Sequence, residues 1–221
     1  RDKAKGKRRA TVVTLLSKVG KRARQRDERG EKVAEGLDGL RERLSEYYEL
    51  GARFTKWRAV ITIGDGIPSD YCLDTNAHAL ARYAALCLEG GLVPIVEPEV
   101  LMDGDHSIGR CYEVTEAALR QVFSELGRQR VSLEGALLKP NMVLTGKSAA
   151  NRAGPDEVGE KTVACFKRAV PAAIPGVVFL SGGQSDEEAT VNLNAINRRA
   201  AEEYGFHDST PPMVTGFDRV W

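Results

Sequence analysis

Four polar residues recur at nearly constant spacing, each in or beside a stretch rich in apolar or β-branched residues. Lys56, Glu97, Lys139 and Ser181 are separated by 41, 42 and 42 residues. A lysine amine can attack a carbonyl to form a Schiff base, and a carboxylate within reach can transfer the protons of that step. A serine beside glycines can bind phosphate. The spacing therefore predicts a site assembled from repeated structural units.

Lys139 ends the apolar run Leu133-Glu134-Gly135-Ala136-Leu137-Leu138-Lys139. An ammonium resists desolvation, so burial would free this amine as a nucleophile toward carbonyls. The alternative is a lysine that extends from the strand end to water, which is the commoner arrangement for this side chain. The local sequence leaves both interpretations open.

Charged partners follow two of these residues at strand spacing. Residues i and i+2 of a strand face the same side, so Lys56 and Arg58 share one face and Glu97 and Glu99 share another. Buried charges at this density are costly unless they are paired, which favours a functional site over a purely structural role. The turn Ser181-Gly182-Gly183 can bring backbone N–H groups close to a phosphate.

Strand and helix patterns alternate along the chain. The predicted strands cover residues 54–63, 92–97, 133–139 and 177–180, and the predicted helices cover 37–51, 69–89, 108–126, 155–170 and 185–197. Continuously apolar strands between helices predict an α/β protein with a parallel sheet. A repeat of about 42 residues is one βα unit, which fits a (β/α)8 barrel with its site at the carboxyl ends of the strands. A doubly wound open sheet is the alternative, although no Gly-x-Gly-x-x-Gly follows a strand.

Charge is distributed unevenly. The net charge is +1, yet residues 1–30 carry 12 Lys and Arg against 3 Asp and Glu. We expect this segment to be a disordered leader; a nucleic-acid-binding arm is the alternative, but the segment lacks aromatic side chains to stack on bases. The cysteines and histidines show no metal-ligand spacing, and no apolar run approaches the roughly 20 residues that span a bilayer.

Several motifs between about residue 30 and residue 197 resemble those of class I fructose-1,6-bisphosphate aldolases. They occur in the family order and cover roughly three quarters of the chain. They are Gly36-Leu37-Asp38-Gly39-Leu40, Lys56-Trp57-Arg58, Val93 to Glu99, Asp103-Gly104-Asp105-His106, Leu133 to Met142, Leu180 to Ser185, and Leu193 to Asn197.

The resemblance implies a TIM barrel and a lyase of glycolysis and gluconeogenesis. Such an enzyme cleaves fructose 1,6-bisphosphate reversibly into dihydroxyacetone phosphate and glyceraldehyde 3-phosphate, without a metal or other cofactor. It further implies a sugar-phosphate substrate and the cytoplasmic homotetramer usual in the family. The composition, not the resemblance, is the ground for expecting no membrane partner, and nucleic acid stays the weaker alternative given above. The implied catalytic residues are Lys139 (the Schiff-base lysine), Glu97 (proton transfer), Lys56 and Glu99, and the implied substrate and phosphate ligands are Arg58, Ser181 and Gly182.

Some parts of the family pattern have no match here. These are an early strand with a catalytic aspartate, a further substrate-binding lysine, and a Ser-Tyr-Gly-Arg motif on the last strand. We therefore expect about four central βα units, with a leader over residues 1–30, the barrel portion over 31–197 and an irregular tail over 198–221. The alternative function is a catalytically incomplete aldolase fragment or a non-catalytic interaction protein.

Overall fold

The computed structural model describes residues 11–14, 25–26 and 30–204. Its strands are β1 (Thr11–Thr14), β2 (Gln25–Arg26), β3 (Lys32–Val33), β4 (Ala52–Ile61), β5 (Val93–Val100) and β6 (Leu137–Leu138). Its α-helices are α1 (Leu40–Glu49), α2 (Asp70–Glu89), α3 (Ile108–Arg128), α4 (Pro155–Ala169) and α5 (Asp186–Tyr204). A 3-10 turn, Leu133–Gly135, precedes β6.

The main sheet is parallel. Its strand order is β1-β4-β5-β6, while β2 and β3 form a separate antiparallel pair. Helix α2 connects β4 to β5, and α3 connects β5 to β6. The predicted α/β class is confirmed, and the described strands form the partial, barrel-like sheet expected of a piece of a (β/α)8 barrel.

Strand β4 has two chemically different faces. Trp57 and Ala59 are buried in an apolar cluster formed with residues of α2 and α3. The Trp57 ring lies 5.5 Å from the Tyr83 ring, and the Tyr83 hydroxyl is 2.7 Å from the Thr55 hydroxyl. The helices therefore cover one face of β4, which leaves Lys56 and Arg58 on the other.

Local sequence signals start three of the helices. The Ser69 and Ser107 hydroxyls accept hydrogen bonds from the third backbone N–H beyond each, at 3.2 and 3.1 Å. Ser185 and Glu188 form the predicted reciprocal capping box, with bonds of 3.1 and 3.2 Å at the start of α5. These caps satisfy N–H groups that have no partner within the helix, so the predicted starts are confirmed.

Two predicted strands are much shorter in the structure. Residues 133–139 contain the 3-10 turn and only the two-residue strand β6, and residues 177–180 pair with it through a single bridge between Leu138 and Val177. The pairing with residues 177–180 does not continue because Pro140, which follows Lys139, has no N–H to donate. The Asn141 side chain instead accepts a 3.1 Å bond from the Val100 N–H and so continues the pairing with β5.

The predicted ends of the barrel portion also need correction. Helix α5 continues past residue 197 to Tyr204, because Ala200 extends the apolar spacing of Leu193 and Ile196 and packs into the core. Thr11–Thr14, within the predicted leader, forms β1 and pairs with β4. Apart from Thr11–Thr14 and Gln25–Arg26, residues 1–29, on which the disorder and nucleic-acid predictions depend, lie outside the described residues, as do residues 205–221.

Candidate active site

The strand register brings the charged residues of the sheet to one face. In the parallel pairing of β4 with β5, Arg58 is opposite Glu97, and Val60 is opposite Glu99. Val96 is opposite Leu138 in the pairing of β5 with β6, so Glu97 and Lys139 are the next residues along. Register partners in a parallel sheet point to the same side, and the period of two places Lys56 there as well.

All seven site residues predicted from the sequence line one cavity of about 380 Å³. This volume is within the usual range for small-molecule sites. The cavity is lined by Lys56, Arg58, Glu97, Glu99, Lys139, Ser181 and Gly182, together with Leu101, Met102, Asp103, Lys147, Leu180 and Gly183.

Glu97 joins the two lysines at the centre of the cavity. Its carboxylate is 2% exposed; Oε2 accepts a 2.5 Å bond from Lys56 Nζ, and Oε1 accepts a bond from Lys139 Nζ. Arg58 Nε lies 3.9 Å from Glu97 Oε1 and donates to Glu99 Oε2. Each buried carboxylate thus has a cationic donor, which is the condition under which charges are tolerated away from water.

Lys139 is held rather than extended into solvent. Its residue is 8% exposed, and its backbone N–H donates to the Val96 carbonyl at 2.8 Å. Two residues on, buried Asn141 accepts from Val100 and donates to the Thr115 hydroxyl at 3.0 Å, which ties the segment to β5 and α3. The lysine extending to water that the sequence left open is therefore not what the structure contains.

Cysteine does not supply a competing nucleophile in this region. All four thiols are buried, and burial raises the pKa of Cys72 to about 11 and of Cys87 and Cys165 to about 12. Burial also raises the pKa of Cys111. Because the thiolate is the reactive form, these raised pKa values disfavour reaction of the cysteines at neutral pH. The buried amine of Lys139 is the better candidate.

Side-chain hydrogen bonds hold the Ser181–Gly183 turn in place. Gly182 and Gly183 have φ angles of 60° and 95°, a backbone conformation that favours glycine. The Gln184 side chain donates to the Ser181 carbonyl at 2.8 Å and accepts from Asn192 at 2.5 Å. The turn therefore holds a defined shape beside the cavity.

Sequence reasoning missed some residues that serve this site. Lys147 and Asp103 line the cavity. Asn141 and Gln184 lie outside it and hold its lining segments in place through side-chain hydrogen bonds. Asn141 lies two residues after Lys139, a spacing at which strand residues share one face, so its place beside the site could have been predicted from the sequence. The loop position of Lys147 depends on contacts with a distant loop, for which no periodicity exists in the sequence.

Two other kinds of site are absent from the described part of the chain. Among residues 11–14, 25–26 and 30–204, no group of three or more His, Cys, Asp or Glu side chains is placed to hold a metal ion. Within the same ranges, no helix is both long and apolar enough to cross a bilayer.

Comparison with known proteins gives one consistent family. The model of the glycolytic class-I fructose-bisphosphate aldolases matches residues 12–206. A "probable fructose-bisphosphate aldolase class 1" of Xanthomonas campestris is 63% identical over 169 residues, covering 76% of this chain and 51% of that protein. The cytosolic fructose-bisphosphate aldolase 4 of Arabidopsis thaliana is 56% identical over the same length, covering 76% of this chain and 43% of that protein.

A solved structure agrees with these relatives. Fructose-bisphosphate aldolase of Plasmodium falciparum, in a complex with TRAP and a small-molecule inhibitor, superposes with a TM-score of 0.77 and 51% identity. The superposition covers 84% of this chain and 52% of that one, so the chain spans about half the length of the relatives that it matches. With the matched residues running from β1 to the end of α5, the chain belongs to the class-I fructose-bisphosphate aldolase family.

Proposed function

We propose that the chain carries the Schiff-base centre of a fructose-bisphosphate aldolase, a lyase that cleaves fructose 1,6-bisphosphate reversibly into dihydroxyacetone phosphate and glyceraldehyde 3-phosphate. The observation that carries this proposal is the Lys139 amine, buried in the cavity and hydrogen-bonded to Glu97. A buried lysine whose amine contacts a carboxylate able to take up its proton is suited to attack on a carbonyl.

Glu97 would move the protons of Schiff-base formation. It accepts a proton from Lys139, whose free electron pair then attacks the substrate carbonyl carbon, and it returns a proton to the hydroxyl that leaves as water. The iminium at C2 draws the electron pair of the C3–C4 bond and becomes an enamine, while the C4 hydroxyl gives its proton to the Glu97 carboxylate and becomes the carbonyl of glyceraldehyde 3-phosphate. Protonation of the enamine carbon and hydrolysis of the imine by water then release dihydroxyacetone phosphate and the lysine amine. Lys56 donates to the other Glu97 oxygen at 2.5 Å and would keep the carboxylate oriented through these steps.

The remaining predicted residues would bind the substrate. Arg58, already hydrogen-bonded to Glu99, can direct its other N–H groups to a phosphate oxygen. Ser181 can donate its hydroxyl, and Gly182 can present its backbone N–H, since no side chain shields it. In this assignment Glu99 positions Arg58.

A trapping experiment tests this function. Dihydroxyacetone phosphate with borohydride should leave a reduced adduct on Lys139, located by peptide mass spectrometry. Lys139→Met should abolish the adduct, and the chain should still fold because Lys56 remains bonded to the Glu97 carboxylate. Lys161→Met, on α4 outside the cavity, should leave the adduct unchanged. Full cleavage activity in Lys139→Met would remove Lys139 from the mechanism.

Cleavage must be measured separately from trapping. An adduct accompanied by cleavage of fructose 1,6-bisphosphate supports a complete aldolase. An adduct without cleavage would identify the alternative, a chain that forms the Schiff base but lacks turnover. Because the iminium itself accepts the electrons, the proposed reaction needs no metal or organic cofactor, and a chelator should leave trapping unchanged. We further propose a cytoplasmic location and assembly as a homotetramer. Sedimentation would test the assembly.

A further inference from the structure

Lys147 differs from the other cations that line the cavity. Lys56 and Lys139 are both bonded to Glu97, and Arg58 is bonded to Glu99. The Lys147 ammonium makes no hydrogen bond or ion pair with any residue that the structure describes. An anion that enters the cavity must compete with Glu97 or Glu99 for the first three cations, whereas no carboxylate among the described residues is bonded to Lys147.

The backbone holds Lys147 at the cavity despite its exposed side chain. The Lys147 N–H donates to the Met102 carbonyl at 2.6 Å. On either side, the Gly146 N–H donates to the His106 carbonyl and the Ser148 N–H donates to the Gly104 carbonyl, both at 2.8 Å. A Cβ at Gly146 would lie 2.5 Å from the Gly104 carbonyl oxygen, so the two loops approach as closely as their backbones allow.

Met102 connects this loop to the Ser181–Gly183 turn. Its carbonyl accepts from Lys147, and its buried sulfur would lie 3.2 Å from a Cβ at Gly183. Lys147 and the turn therefore flank one buried residue. The turn offers N–H groups to an anion, and Lys147 offers an uncommitted positive charge beside them.

We propose that Lys147 binds a phosphoryl group of the substrate together with the Ser181–Gly183 turn, and so makes the site prefer phosphorylated over unphosphorylated ketoses. This inference rests on the proposed Schiff-base function. A phosphoryl dianion needs several donors around its oxygens, and a charge-assisted bond from lysine is among the stronger ones. A lysine held at the loop by its backbone alone also loses little of its present bonding when the anion binds.

Trapping with two ketones provides the first test. The readout is the ratio of adduct-formation efficiency for dihydroxyacetone phosphate to that for dihydroxyacetone. Lys147→Met should lower this ratio about tenfold, the loss of one charge-assisted hydrogen bond from an exposed side chain. Lys147→Arg should retain most of it, and Lys161→Met should leave it unchanged. An unaltered ratio in Lys147→Met overturns the proposal.

A second measurement does not depend on Schiff-base chemistry. In Lys139→Met, acetylation of individual lysines is followed by mass spectrometry with dihydroxyacetone phosphate or dihydroxyacetone present. The phosphorylated ketone alone should slow acetylation of Lys147, while Lys161 reacts at the same rate throughout. If the unaltered chain forms no adduct, the proposed function fails; protection of Lys147 would then still support its phosphate contact, and no protection would overturn it.

Discussion

Replacing Glu97 by glutamine removes the shared counter-charge of the cavity while preserving its shape. Glu97 is 2% exposed and accepts from both Lys56 and Lys139. A glutamine side chain has one acceptor oxygen, and its amide nitrogen would face the second ammonium as donor against donor. The substitution therefore leaves at least one lysine in the cavity without a partner.

The expected cost follows from the burial of each partner. Removing one member of a buried ion pair costs about 3–5 kcal/mol. The side chains of Lys56 and Arg58 are 17% and 37% exposed and can turn toward water, whereas that of Lys139 is only 10% exposed. We therefore expect a value near the lower end, about 3 kcal/mol.

Urea unfolding and adduct formation measure the two consequences. With a urea m-value on the order of 2 kcal/mol/M, the Glu97→Gln midpoint should fall by about 1.5 M. Adduct formation on Lys139 should slow while substrate still binds, because the proposed proton carrier is lost. Glu89→Gln is the matched control: it breaks an exposed 2.7 Å ion pair with Arg41 and should leave the midpoint nearly unchanged. A Glu97→Gln midpoint equal to that of the control, or an unaltered rate of adduct formation, would refute the reasoning.

Two further predictions concern the loops that carry the cavity. Gly146→Ala should destabilise the chain by about 2 kcal/mol, because its Cβ would lie 2.5 Å from a backbone oxygen; in urea unfolding, Gly127→Ala, whose Cβ meets nothing within 4 Å inside α3, should instead be slightly stabilising. Burial lowers the pKa of His106 from its ordinary 6.5, with partial compensation by Asp105, and neither ring nitrogen has a partner among the described residues. The unfolded chain thus takes up this proton at a higher pH than the folded chain. Stability should be fully present above about pH 6.5 and fall as the pH drops from there to the lower folded pKa. His106→Asn should lose this part of the pH dependence in urea titrations; an unchanged slope would show that His106 does not contribute.

Much of the cavity could be predicted from the sequence because its chemistry repeats with the fold. One βα unit of 41 or 42 residues separates Lys56, Glu97 and Lys139, and a parallel sheet brings equivalent positions of adjacent strands together. Helix starts at Ser69 and Ser185 were predictable since capping is a local interaction between neighbouring residues.

The parts that could not be predicted depend on distant contacts. An apolar run ending in Lys139 predicts a strand, yet the pairing available to it is limited by Pro140 and by the side chain of Asn141. The position of Lys147 at the cavity depends on hydrogen bonds to a loop more than forty residues earlier in the chain, around Met102. Neither effect leaves a periodic signal in the residues concerned.

Because β4 has one apolar and one charged face, the packing of its apolar face against the helices also fixes the position of its charged residues. A slip of β4 by one residue relative to β5 would exchange its faces, moving Trp57 into the cavity and Lys56 into the apolar layer beside Tyr83. Such a slip would place the positive charge of Lys56 among hydrocarbon side chains and leave a cavity where the Trp57 indole now packs. The alignment of the cavity's cations with Glu97 is therefore selected by residues that do not face the cavity. Substitutions at Trp57 should be judged by their effect on the fidelity of strand alignment as well as by the packing that they remove.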